Sequence, residues 1–123
     1  DGNPVEELLS YAHRKLAMSR AFPRESRLLA NEIIQGAPRI KTVLAGELRE
    51  LVLDKSKVIN RWIAAGQLRP VDPVHLIFSI WSLTQHYADF DVQVRAILGH
   101  TDPFDDAATH IDTVFRRMLT PEG

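Results

Sequence analysis

His75, Ser79, Ser82, His86 and Asp89 recur at intervals of three and four residues, the spacing that stacks side chains on one face of a helix. Imidazoles, hydroxyls and a carboxylate on one strip have the chemistry of a zinc site or of a base-assisted nucleophile. A zinc site needs a further ligand within reach, and His86 with Asp89 is the only ligand pair the strip offers at helical spacing. Asp106 with His110 repeats the pair on what reads as the wet side of another helix. No nucleophile elbow, phosphate-cradling glycine loop or HExxH motif accompanies the serines and histidines. The strip therefore reads as interface or solvated surface: no catalytic residue, metal ligand or cofactor is expected. A small all-α enzyme working through His86 is the enzymatic alternative.

Gln85 is the residue out of place. On a helical projection it shares an arc with Val74, Ile77, Phe78, Trp81 and Ala88, with Trp81 one turn and Phe78 two turns before it. An amide buried there without a partner costs about 1–3 kcal/mol, so it pairs inside the core or waits for a ligand. Trp81 and Trp62 are either core side chains or stacking faces, and an aromatic face beside an amide holds a small planar ring by stacking plus edge hydrogen bonds. Upstream, Asn31 and Glu32 interrupt the apolar run of Leu28, Leu29, Ala30, Ile33 and Ile34. Either they line a cavity, or Glu32 pairs with Arg27 or Arg20. The candidate ligand site is thus Phe78, Trp81 and Gln85 with Asn31, Glu32 and Trp62.

The elements that must position these residues are all helices. Asn3-Pro4, Asp72-Pro73 and Asp102-Pro103 each put a capping side chain before a proline that lacks the amide a first helical residue would waste. The periodicity predicts helices over about 4–20, 24–35, 39–65, 73–89, 92–98 and 103–119, with Gly36, Gly66 and Gly99 at their ends. The second is apolar almost all round, which predicts central burial. No alternating strand pattern, repeat or low-complexity segment is present, so the fold class is all-α, a bundle of about six helices in one domain over 1–123.

Composition narrows the function. The 123 residues, 45% of them hydrophobic, suffice for a single core. Fifteen Lys and Arg against sixteen Asp and Glu leave a formal charge of -1, so no overall field draws the chain to nucleic acid or to an anionic membrane. There is no cysteine, hence no disulfide, thiolate metal site or cysteine nucleophile. No apolar run reaches a membrane span and Asp1-Gly2-Asn3-Pro4 is not a signal peptide, which places the expected product in the cytoplasm as a soluble protein. The Gln85 helix carries a second apolar arc, Leu76, Ile80, Leu83 and Tyr87, and is too broadly apolar for one neighbour. A homodimer would use that excess, with Ser79, Ser82, Leu83 and His86 meeting Phe104, Ala108, Ile111 and Phe115 of the last helix in a four-helix bundle.

The words Ser26-Arg27-Leu28-Leu29-Ala30-Asn31-Glu32-Ile33-Ile34-Gln35-Gly36-Ala37-Pro38, Pro70-Val71-Asp72-Pro73-Val74-His75-Leu76-Ile77-Phe78 and Ile80-Trp81-Ser82-Leu83-Thr84-Gln85-His86-Tyr87-Ala88-Asp89-Phe90 resemble the C-terminal half of TetR-family transcriptional regulators, in the branch that controls pyrimidine utilisation. The likeness runs from about Leu8 to Leu98. It departs at Ala30-Asn31, where bulkier sulfur-containing side chains would be expected. The resemblance implies a small-molecule effector and dimerisation domain whose DNA contact lies in an N-terminal helix-turn-helix unit, here absent, so that the chain reads as a fragment. It implies a pyrimidine such as uracil or thymine beside Trp81 and Gln85. A dimerisation module without a ligand is the alternative.

Overall fold

Asn3 and Asp72 start helices as their sequence predicts. In the computed structural model, which describes residues 2–99 and 102–122, Asn3 Oδ1 accepts the amides of Val5 and Glu6 at 3.1 and 3.3 Å, and Asp72 Oδ1 accepts that of His75 at 3.0 Å. The elements are α1 (Pro4–Ala21), α2 (Pro23–Ile34), α3 (Lys41–Val43), a π-helical turn (Leu44–Leu48), α4 (Arg49–Ala64), α5 (Pro73–Asp89), α6 (Asp91–Leu98) and α7 (Phe104–Leu119). α3, the π turn and α4 follow one another without a break, so the described residues form six helical bodies and no strand. While α7 itself begins one residue later than predicted, with Pro103 at its cap, Asp102 Oδ1 accepts the Phe104 amide at 3.0 Å, the same two-residue step as Asn3 to Val5. That amide, and then Arg20, hold the Asp102 carboxyl below its usual range. Gly99 closes α6 in the left-handed conformation, φ 71°, its amide donating to the Arg95 carbonyl.

α5 is the hub, packed against α1, α2, α4, α6 and α7. Leu8, Leu9, Ala12 and Leu16 of α1 meet Leu76, Ile77 and Ile80 of α5 and Ile111, Phe115 and Leu119 of α7 in one core, with Val52 and Ile59 of α4 along its flank. The sequence pattern places Phe104, Ile111 and Phe115 against a second subunit. They are instead 6%, 0% and 1% exposed inside this chain's own core, because the single apolar stripe of α7 is used up against α1 and α5 and one face cannot serve two partners. Ala108 sits at the core's margin. Outside the core, α7 is tied to α1 by Arg116, whose guanidinium binds Glu6 and Asp112, and by His13, whose ring meets Asp112 at 3.2 Å.

α2 departs most from expectation. It contains no buried residue, and Leu28, Leu29, Ile33 and Ile34 are 61%, 47%, 46% and 78% exposed. Among the described residues it packs chiefly on α1 and α5, which leaves most of its apolar girdle uncovered. Its anchors are polar: Ser26 Oγ donates to Asp89 Oδ1 at 2.6 Å, and Arg27 donates to the Ala88 carbonyl at 3.1 Å. Glu32 pairs with neither Arg27 nor Arg20; its Oε2 accepts the backbone amide of Arg39 at 2.7 Å and ties the end of α2 to the following loop. There Gly36 and Ala37 both adopt positive φ, 97° and 55°.

Candidate functional site

Two clefts follow successive turns of α4. Val52 and Leu53 of its first turns, with Leu44 and Leu48 of the π turn, face Val74, Phe78 and Trp81 of α5 across a groove of about 340 Å³, with Arg49 at its edge. Later turns, Lys55, Val58, Ile59 and Trp62, face Glu7, Leu8, Tyr11 and Arg14 of α1 and Ile77 and Ile80 of α5 across a cleft of about 480 Å³. One hydrogen bond joins the two: the Trp81 indole N–H, from the groove, donates to the hydroxyl of Tyr11, in the cleft, at 2.9 Å. The π turn belongs to the groove wall. Such a turn inserts an extra residue into the helical ladder and is frequent at functional sites.

The predicted ligand residues do not form one cluster. Phe78 and Trp81 are neighbours, their rings 5.9 Å apart and tilted 44°, with His75 edge-on to Phe78 at 5.6 Å. Gln85 follows Trp81 by one turn and is half-buried; it makes no side-chain hydrogen bond among the described residues. No fully buried side-chain polar atom there lacks a partner, so the Gln85 amide is still open to water and the cost of an unpaired buried group does not arise. Trp62 lies in the other cleft. Asn31 and Glu32 line neither. The Asn31 side chain is exposed.

Tyr11, Lys15 and Lys55 are the residues that sequence reasoning passed over. The Lys55 ammonium lies 4.4 Å from the centroid of the Tyr11 ring, and the Lys15 ammonium lies 6.0 Å from the same ring and 5.9 Å from that of Trp81. Neither lysine is in an ion pair among the described residues. The available signal was Tyr11 at one turn after Leu8 and one before Lys15, on the core side of α1.

The polar strip of α5 is quiet chemically. Ser79 Oγ donates to the His75 carbonyl at 2.9 Å and Ser82 Oγ to that of Ser79 at 3.2 Å, so both hydroxyls are spent on their own helix. His86 stacks on Phe90 at 5.2 Å, and Asp89 accepts from Ser26. No group of three or more potential metal ligands occurs among the described residues. None of the described helices is long and apolar enough to cross a membrane.

Comparison with known proteins follows the same lines. Residues 1–122 match the family described as YcdC-like protein, C-terminal region. The HTH-type transcriptional regulator RutR of Escherichia coli (strain K12) and that of Shigella flexneri are each 46% identical over 101 residues, which is 82% of this chain and 48% of each relative. The chain thus spans about half the length of the curated relatives it matches.

Proposed function

The chain belongs to the TetR family of transcriptional regulators, as a YcdC-like C-terminal region and so as a regulatory domain rather than an enzyme, and from that premise we propose that it senses an effector and dimerises in the cytoplasm. The effector is a small planar ring, a pyrimidine such as uracil or thymine, held beside Phe78 and Trp81 with Gln85 on its edge. Binding controls, in the repressing sense, the grip on DNA of a helix-turn-helix unit elsewhere in the full regulator. The observation that carries this reading is the indole of Trp81, fixed by Tyr11, with the free amide of Gln85 one turn on. An amide supplies both a donor and an acceptor, which is what an imide edge asks for. The matched relatives support it by name as HTH-type regulators. The ligand acts through its different affinity for two dimer geometries, and only through that difference.

Thermal unfolding in the presence of uracil and thymine tests it. A ligand held at about a hundred times its Kd adds about 2.7 kcal/mol to stability, and Gln85→Leu should remove that gain while leaving the unliganded chain folded. No stabilisation by any pyrimidine would favour the dimerisation module without a ligand.

A further inference from the structure

We propose that the cleft between α1, α4 and α5 is a second ligand site, built for a small aromatic or heteroaromatic acid. The ionised group meets the Lys55 ammonium and the Tyr11 hydroxyl, and the ring lies among Leu8, Val58 and Trp62. This goes beyond the pyrimidine reading, which concerns the groove at Phe78 and Trp81.

Size and lining come first. At about 480 Å³ the cleft falls in the range of small-molecule sites, and its inner wall is Ile59, Ile77 and Ile80, all buried in the core. An apolar wall with a few placed polar groups binds a ring and fixes its orientation through those groups.

The polar groups are donors almost without exception. Tyr11 has spent an acceptor position of its hydroxyl on the Trp81 indole, and its own O–H donates to nothing among the described residues. Lys55 carries three N–H donors and no acceptor, and its ammonium is held at 4.4 Å from the Tyr11 ring with no carboxylate as partner among the described residues. Arg14 gives one N–H to Ser10 Oγ at 2.7 Å and has no carboxylate either. Lys15 adds a further positive charge beside the same tyrosine. Against these stands one carboxylate in the lining, Glu7. A neutral imide edge would bring an N–H toward this donor set. A carboxylate, or a ring oxygen that has lost its proton, brings acceptors only and a charge of the right sign.

The probes are benzoate and its neutral isostere benzamide, titrated calorimetrically into the chain. Benzoate is expected to bind, benzamide at least about tenfold more weakly, and the benzoate affinity to fall as salt is added. Lys55→Met keeps the stem and removes the charge; it should weaken benzoate about tenfold, and Lys55→Arg should retain most of the affinity. A parallel uracil titration keeps the two sites apart, since Lys55→Met should leave uracil binding in place. Benzamide binding as tightly as benzoate, or benzoate binding unchanged in a folded Lys55→Met chain, overturns the proposal. So does an absence of benzoate binding to the wild type. Should Lys55→Met fail to fold, the benzoate-to-benzamide ratio on the wild type decides.

Discussion

At the scale of the residue, contacts between neighbours on one helix could be read in the sequence and contacts across the chain could not. The contact of Phe78 with Trp81 follows from a three-residue step. The Trp81–Tyr11 hydrogen bond joins residues 70 positions apart and has no local signature. The ties between α1 and α7 are of the same distant kind, and they predict a pH response. Hydrogen bonding to Arg116 holds the carboxyls of Glu6 and Asp112 below their usual values of 4.5 and 3.8, with His13 adding to the effect on Asp112. The Arg116 guanidinium is correspondingly held more firmly protonated. Carboxylates with a depressed folded-state pKa bind fewer protons when folded than when unfolded, so stability rises with pH across that window. The contribution is present above the unfolded carboxylate values and is lost as pH falls through the lower, folded ones. Melting temperatures from about pH 6 down to about pH 3 should fall less steeply for Arg116→Met than for the wild type. Parallel curves would show that the network carries no linkage. These groups lie at the surface, so the effect should shrink in high salt.

At the scale of the element, helix starts were legible because a cap is a local device: Asn3 and Asp72 act within three residues of their own position. What a helix is buried against depends on which elements flank it, and there periodicity misled. The apolar girdle of α2 predicted burial, yet among the described residues α2 packs chiefly on α1 and α5 and leaves Leu28 and Ile34 in solvent. The stripe of α7 was legible as a stripe, but not that Ile111 and Phe115 face this chain rather than a copy. The π turn at Leu44–Leu48 left no trace in an apolar pattern read at a fixed period. A pair of substitutions separates the two helices. Ile34→Gln in α2 should change the urea-unfolding free energy by no more than about 0.5 kcal/mol, as at an ordinary surface position. Ile111→Ala in α7 should cost about 2–5 kcal/mol, the sum of lost transfer energy and a cavity. A loss at Ile34 as large as that at Ile111 would mean that another body covers α2 in solution.

At the scale of the whole molecule, α5 keeps an open strip through His75, Ser79, Ser82 and His86 after its contacts with α1, α2, α4, α6 and α7 are drawn, with Leu83 half-buried on the same helix. With Phe104, Ile111 and Phe115 enclosed in the core, a second copy would be met on that strip. Its serine hydroxyls are already bonded to backbone carbonyls, so a facing helix could approach without leaving them unpaired. The strip is also one arc away from Phe78 and Trp81 on the same helix. A tilt of α5 that accommodates a ring in the groove would therefore alter the angle between two copies directly, with no intervening element. Sedimentation equilibrium should give about twice 13.9 kDa, and Ser82→Arg, which places a long charged side chain on an exposed position of the strip, should give the monomer mass with helicity unchanged. A wild type that sediments as a monomer at micromolar concentration would remove the interface. A Ser82→Arg chain that remains a dimer would move it to the apolar side chains left open on α2 and α6, and ligand binding beside Trp81 would then lose its short route to subunit geometry.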